Sequence, residues 1–263
     1  FFISFLSLFF FSNFNLSGQT FSLDSNGVTV KCSGCSNGDT GTVGGVTYTA
    51  VDNTTIRLTA DGDWDTIVTT LVTDMSGLFS GDVDFNENIS SWHTVSVTTM
   101  ADMFRGASAF NQDLSKWDTS GVLNMQQTFY NAIAFTNNLN DWDVSSVTDM
   151  DGMFRGATSF NQPLNSWTVS NVLSMSRMFQ EATSFNQPLN NWNVSNVKYM
   201  QFLFRQSDFN QPLNSWTVSN VLNMSEMFYN TPFNQNIDNW NVSNVTNMSR
   251  LFRGTDFNQP LNS

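Results

Sequence analysis

Three carboxylates are the side chains of this chain best placed for catalysis. Asp118, Asp141 and Asp143 flank Trp117 and Trp142, which lie one repeat apart in a chain built of repeats. Stacked repeats would bring Asp118 and Asp143 within about 5 Å, the carboxylate separation of retaining glycosidases. The same group could bind Ca²⁺ or remain solvated. Because the sequence shows no groove wall and no arginine clamp beside it, we predict no enzyme and no metal here.

The remaining reactive side chains are one histidine and two cysteines. His93 is the only histidine, so a Ser–His–Asp site would depend on it alone, on an exposed segment. Cys32 and Cys35 read Cys-Ser-Gly-Cys, a spacing that suits a redox pair in a cytosolic βαβ protein. Zinc needs four ligands, which the chain does not provide around this pair. We expect a local structural disulfide between Cys32 and Cys35, and no cofactor.

A repeated unit, which recurs from about residue 72 to the last residue, positions these side chains. Aligned methionines occur at Met75 and then in five steps of 25 residues and two of 24, ending at Met248. Self-similarity with such a period is typical of repeat proteins. From Gln201 onward each copy loses one residue between two phenylalanines, as in Phe204 to Phe209, which places the deletion in an outer corner.

The copy at residues 160–185 shows what one repeat can build. Residues 164–169 read L-x-x-W-x-V, which is close to the leucine-rich-repeat phrase L-x-x-L-x-L and alternates like a strand. Apolar residues at 172–179 have spacings that suit a helical or 3₁₀ turn. We therefore predict a leucine-rich-repeat-like right-handed β-solenoid of about eight repeats over residues 64–263, with one short parallel strand and one helical or 3₁₀ turn per repeat.

Two sets of recurring residues have structural interpretations. Stacked copies can bury aromatic residues that one copy cannot bury alone. An amide that recurs after the looped phenylalanine can bond the same amide in the next copy. The sequence thus predicts a tryptophan core (Trp92, Trp117, Trp142, Trp167, Trp192, Trp216, Trp240) and an asparagine ladder (Asn111, Asn161, Asn186, Asn210, Asn234), which Thr136 interrupts.

The two ends differ from the repeats. Residues 1–18 open with a phenylalanine-rich apolar run that is too short for a transmembrane span of about 20 residues. We interpret it as a signal peptide, with a retained apolar segment as the alternative. Residues 19–63 are rich in turns and strand-forming residues, which predicts a small N-terminal β cap over the first repeat. The last repeat has no such cap, so we expect the solenoid to be open at its C-terminus.

Charge excludes one class of partner. The net charge is −12, and only 10 of the 263 residues are lysine or arginine, without a basic run. The electrostatic footprint of nucleic-acid binding is therefore absent. Serine, threonine and asparagine occupy the outward positions, as is common outside the cell.

The unit V-S-N-V-x-x-M-S-x-M-F-x-x-A-x-x-F-N-Q-P-L-N-x-W resembles the repeats of BspA-type leucine-rich repeat surface proteins, over about residues 72–263. The segments LDSNGVTVKC and GDTGTVGGVTYTA are similar to those that precede such repeats in secreted bacterial members. The resemblance implies a secreted or cell-surface protein used for adhesion and protein–protein contact, with no catalytic residues to carry over.

We therefore expect an extracellular, non-enzymatic protein that mediates adhesion or protein–protein interaction, with other proteins or cell-surface glycans as partners. The alternative is a protomer that stacks head to tail into an extracellular filament, since an open end exposes apolar core. The candidate binding face comprises outward positions beside the tryptophans: His93, Lys116, Asp118, Asp141, Asp143, Thr168, Asn193, Thr217 and Asn241.

Overall fold

The computed structural model of the protein describes residues 18–261. The segment interpreted as a signal peptide, residues 1–18, lies outside this range except for Gly18. All strands longer than one residue fall between residues 20 and 68, and they form two small sheets. Within residues 18–261, no helix has the length and hydropathy that crossing a lipid bilayer requires.

The first sheet is a hairpin of β1 (Thr20–Leu23) and β2 (Val30–Ser33), which are antiparallel. Its loop is closed by Asn26, whose side-chain oxygen accepts hydrogen bonds from the main-chain N–H groups of Val28 and Thr29. Asparagine favours this conformation because its short side chain bonds backbone two and three residues ahead. This hairpin makes up the outer part of the N-terminal cap.

The second sheet contains β3 (Thr40–Val43), β4 (Val46–Ala50) and β5 (Ile67–Val68). Strands β3 and β4 are antiparallel, and Gly44 and Gly45 between them both have positive φ, as a tight hairpin turn requires. After a 3₁₀ turn at Ile56–Leu58, β5 pairs in parallel with β4. This parallel pair connects the cap to the first repeat.

The predicted leucine-rich-repeat-like β-solenoid is wrong. Between residues 69 and 261 the structure contains no helix and no strand longer than a single bridge. No sheet runs through the repeats or closes around them. The repeats are layers of successive turns that bond to the next layer, and their only β pairing is one bridge per repeat, at Asp74, Thr99, Asn124, Asp149, Ser174, Tyr199, Asn223 and Asn247.

The L-x-x-W-x-V phrase is not a strand because tight turns interrupt it. The main-chain N–H of Trp167 donates to the carbonyl of Leu164 at 3.2 Å, which closes a turn inside the phrase. The N–H of Val172 donates to the carbonyl of Val169 at 3.0 Å, which closes another immediately after it. Apolar residues that alternate along a strand and apolar residues that flank turns give the same pattern here.

The predicted helical turn is replaced by two consecutive β-turns. Arg177 and Glu181 have φ values of 57° and 60°, a left-handed conformation that interrupts helix geometry. The N–H groups of Met178 and Ala182 each donate to the carbonyl three residues earlier, and that of Gln180 donates to the carbonyl of Arg177, which closes a third turn that overlaps both. Positive φ at the third residue of a turn is characteristic of type II. The N–H groups of Arg177 and Glu181 donate to carbonyl groups of the next repeat, those of Gln201 and Arg205.

Three aromatic columns form the core. In adjacent repeats Phe154 stacks on Phe179 with ring centroids 5.7 Å apart, and Trp167 stacks on Trp192 at 6.2 Å and an interplanar angle of 3°. Within one repeat Phe179 and Phe185 stack at 3.9 Å. Identical residues in register favour such offset stacks, which add to the energy of burial. The core is therefore continuous from one repeat to the next.

The shortened repeats have a modified corner. Where the longer repeats carry Ala182, the shorter ones carry Ser207 or Thr231. The hydroxyl of Ser207 donates to the carbonyl of Phe204 at 2.7 Å, and that of Thr231 donates to the carbonyl of Phe228 at 2.9 Å. In the longer repeat the N–H of Phe185 donates to the carbonyl of Ala182. In the shorter ones the N–H groups of Phe209 and Phe233 donate instead to these hydroxyl oxygens, at 3.4 Å and 3.3 Å, so the corner tolerates the loss.

Candidate binding face

Each tryptophan in the repeats is held by a bond to the preceding repeat. The indole N–H of Trp142 donates to the carbonyl of Leu114 at 3.0 Å, and that of Trp192 donates to the carbonyl of Leu164 at 2.9 Å. A buried indole needs such an acceptor. All members of the predicted tryptophan core are buried: Trp92, Trp117, Trp142, Trp167, Trp192, Trp216 and Trp240.

The residue after each tryptophan points away from this core, and so does the residue before it. We call the predicted set the tryptophan-flanking face. His93, the first member of this face, is partly buried beneath the cap. All other members are exposed: Lys116, Asp118, Asp141, Asp143, Thr168, Asn193, Thr217 and Asn241.

Several of these side chains also shape the turn that follows them. Asp118 accepts hydrogen bonds from the N–H and the hydroxyl of Ser120. Asn193 accepts one from the N–H of Ser195 at 3.1 Å. Thr168 and Thr217 are exposed, and within the described residues neither side chain takes part in a hydrogen bond. These two threonines are thus free for contacts outside the molecule.

The carboxylates on this face, Asp118, Asp141 and Asp143, are exposed. A hydrogen bond from the hydroxyl of Ser145, followed by one from its N–H, lowers the pKa of Asp143. Asp143 is therefore ionised at neutral pH and is a poor general acid. In the part of the chain that the structure describes, no group of three or more His, Cys, Asp or Glu side chains is arranged to hold a metal ion.

Docking of the cap creates a cleft that sequence reasoning missed. The N–H of Val30 in β2 donates to the carbonyl of Ser91 at 2.8 Å. This contact places the β1–β2 loop beside the start of the tryptophan-flanking face and encloses a cleft of about 200 Å³. Its lining is Asp24, Asn26, Thr29, Trp92, His93, Thr94, Val95, Lys116 and Asp118. The two contributing segments are far apart in sequence, so no local motif signals it.

Electrostatics in this cleft depend on His93 and Asp24. Burial lowers the pKa of His93, which the nearby Asp24 and Asp118 carboxylates partly oppose. Its Nδ1 atom is buried and has no hydrogen-bond partner in the described residues. Lys31 bonds Asp24 at 2.7 Å and, together with Ser25, lowers the pKa of Asp24 to about 2. The cleft thus holds a neutral histidine beside the ionised Asp24 carboxylate at neutral pH.

The asparagines after the looped phenylalanines do form inter-repeat bonds. The side-chain oxygen of Asn186 accepts from the N–H of Asn210 at 2.9 Å, and that of Asn210 accepts from Asn234 at 2.9 Å. Asn161 bonds Asn186 in the same way. The side-chain oxygen of Asn111 accepts from the N–H of Thr136. The hydroxyl of Thr136 accepts no equivalent hydrogen bond from the N–H of Asn161. These amides are partly or fully exposed, so their function is to link repeats at the surface.

Cys32 and Cys35 are joined by a disulfide, and the described residues contain no free cysteine. Cys32 is buried with Val30 and Val68 in a small apolar cluster of the cap. The bond constrains the short segment at the end of β2. It leaves no thiol for redox or metal chemistry.

These observations define a repeat protein whose layers of turns are held together by inter-repeat hydrogen bonds and aromatic columns. A family model described as "Mycoplasma protein of unknown function, DUF285" matches residues 48–149, 115–209, 135–232 and 200–263. The chain belongs to the DUF285 family. No curated protein and no solved structure matches it. The similarity of its repeat unit to BspA-type surface proteins stays a prediction from the sequence.

Proposed function

We propose that this protein is an extracellular or cell-surface interaction protein without catalytic activity, and that the tryptophan-flanking face contacts its partner. The observation that carries the proposal is the register of this face. One exposed side chain per repeat follows a tryptophan that is bonded to the repeat before it, as Trp192 is bonded to Leu164. Repeats in register make an extended surface in which neighbouring side chains have fixed spacing.

The chemistry of the face supports contact rather than catalysis. Its central members are uncharged hydroxyl and amide side chains, Thr168, Asn193 and Thr217, which can accept and donate hydrogen bonds to protein or glycan. The carboxylates at its N-terminal side are solvated. A disulfide in the cap fits an oxidising location outside the cytosol.

Binding of the purified chain to an array of immobilised extracellular-matrix proteins and neutral glycans tests this proposal. Thr168→Arg and Thr217→Arg introduce bulk on the face without removing a hydrogen bond of the fold. Thr183→Arg, at an exposed corner, is the matched control. We expect each face variant to lose binding at least tenfold and the control to keep it. Equal binding by all three variants, or no binding by the wild type, would contradict the proposal.

The alternative from the sequence, a head-to-tail filament, is distinguished on the same material. Light scattering and electron microscopy of the purified chain over a range of concentrations report its assembly state. Filaments that persist in Thr168→Arg would favour the structural role. Single particles that bind array members would favour the interaction role.

A further inference from the structure

A second surface of the repeats has a different charge from the rest of the molecule. The double turn of each repeat runs from the aligned methionine to the sixth residue after it. These eight segments together contain six arginines and four carboxylates. All remaining residues contain four basic and eighteen acidic side chains. The double turns together therefore carry a net positive charge, although the net charge of the protein is −12.

The arginines are not scattered over this surface. The fifth residue after each methionine, from the second repeat onward, forms what we call the arginine column: Arg105, Tyr130, Arg155, Gln180, Arg205, Tyr229 and Arg253. Every second member is an arginine. Consecutive members are in adjacent repeats, because the N–H of Gly106 bonds the carbonyl of Tyr130 and the N–H of Asn131 bonds that of Arg155.

Aromatic rings hold these guanidinium groups in place. Arg105 and Arg155 lie 5.2 Å and 5.1 Å from the ring centroid of Tyr130. Arg205 and Arg253 lie 5.0 Å and 5.7 Å from that of Tyr229. Guanidinium groups stack readily on aromatic faces while their N–H donors stay available at the edge. Each tyrosine thus positions two cations without neutralising them.

Two arginines in the column lack a carboxylate partner. In the described residues no carboxylate oxygen lies within salt-bridge distance of Arg155 or Arg253. Arg105 pairs with Asp102 at 3.6 Å, and Arg205 pairs with Glu226 at 3.0 Å and with Glu181 at 3.8 Å. Arg253 is exposed and Arg155 is partly exposed, so solvent reaches both side chains. The column therefore has donors that the fold itself does not use.

We propose that the arginine column binds a linear acidic polysaccharide that carries one anionic group per disaccharide. Parallel backbones lie about 4.8 Å apart, so arginines in every second repeat are about 10 Å apart. A pyranose unit of an extended chain is close in length to one repeat spacing, and a disaccharide therefore advances from one arginine to the next. Arginine forms bidentate bonds with carboxylate and sulfate groups. The acidic residues elsewhere oppose this only weakly, because charges are screened over about 8 Å at physiological ionic strength.

Titration of the full chain with hyaluronan, which has one carboxylate per disaccharide, tests the proposal. Dextran is the neutral control, and poly-glutamate tests whether an acidic polypeptide is preferred. We expect binding to hyaluronan that weakens as salt rises, with no binding to dextran. Loss of one charge-assisted bond in Arg155→Gln should weaken binding about tenfold. Lys198→Gln removes an exposed charge next to the bridge residue Tyr199 and should have no effect.

Tyr130→Leu keeps every charge and removes only the ring between Arg105 and Arg155. We expect it to weaken hyaluronan binding several-fold while its circular dichroism stays unchanged. Absence of wild-type binding, a preference for poly-glutamate, or equal losses in Arg155→Gln and Lys198→Gln would each overturn the proposal. The variants leave the tryptophan-flanking face intact, so this outcome and that of the array experiment are independent.

Discussion

The indole N–H of Trp167 donates a 2.8 Å hydrogen bond to the main-chain carbonyl of Leu139 in the preceding repeat. Both groups are buried, so the bond joins two layers inside the core. Trp167→Phe should lower the free energy of unfolding by about 3 kcal/mol, because it leaves a buried carbonyl without a donor and creates a cavity. Urea unfolding measures this loss. Thr168→Ala, on the exposed neighbour, should change stability by less than about 0.5 kcal/mol.

Left-handed residues in the double turns give a second prediction. Gly81 has a φ of 80°, and a Cβ added there would contact nothing within 4 Å. Gly81→Ala should therefore cost about 1 kcal/mol through backbone strain alone. Thermal unfolding of the variant and of Ser80→Ala, an exposed neighbouring control, measures this cost. Equal stability of the two variants would show that the turn tolerates another conformation.

The shortened corners provide a third prediction. Ser207 is buried, and its hydroxyl donates to the carbonyl of Phe204 at 2.7 Å. Ser207→Ala should lower the free energy of unfolding by about 1 kcal/mol, because the bond is lost where the chain is one residue shorter. Ser159→Ala, at the exposed corner of a longer repeat, should be neutral in the same denaturant titration. A neutral Ser207→Ala would mean that the backbone alone closes the corner.

The period of the sequence aligns the tryptophans that the structure buries, but it did not predict the conformation of the repeat. Glycines recur at the left-handed positions, for example Gly77, Gly152 and Gly156, and their alignment is a signal for positive φ. Other copies place Arg177 or Phe202 at these positions, which obscured the signal and favoured a helical interpretation. Inter-repeat hydrogen bonds impose a conformation there that these residues disfavour on their own.

The candidate site was predictable only in part. Exposure of the residues beside each tryptophan follows from burial of the tryptophan, and it could be predicted from the period alone. The cap cleft could not, since it depends on docking of Val30 against Ser91, which are far apart in sequence. The arginine column was present in the aligned repeats, at the fifth residue after each methionine. The sequence did not show that the rings of Tyr130 and Tyr229 lie between the guanidinium groups of the column and hold them in place.

Repair of the asparagine ladder is a fourth prediction. Thr136 has no amide oxygen to offer to Asn161, whereas Asn186 accepts from Asn210 at 2.9 Å. Thr136→Asn should supply the missing acceptor and stabilise the protein by about 1 kcal/mol. Thr158→Asn, at an exposed corner outside the ladder, is the control for asparagine itself. Chemical denaturation that gives the same midpoint for both variants would contradict the assignment.

The cap should loosen in acid through Asp24. Hydrogen bonds from Lys31 and Ser25 lower the pKa of Asp24 from 3.8 to about 2. A carboxyl group whose pKa is depressed by folding stabilises the folded state above its unfolded pKa, and this contribution is lost as the pH falls toward the folded pKa. Hydrogen exchange of the β1 and β2 amides, corrected for intrinsic rates, should therefore accelerate between about pH 4 and pH 2. Asp24→Asn should show faster exchange already at neutral pH and no further change over that range. Unaltered exchange in the variant would assign the stability of the cap to its disulfide and its contact with Ser91 instead.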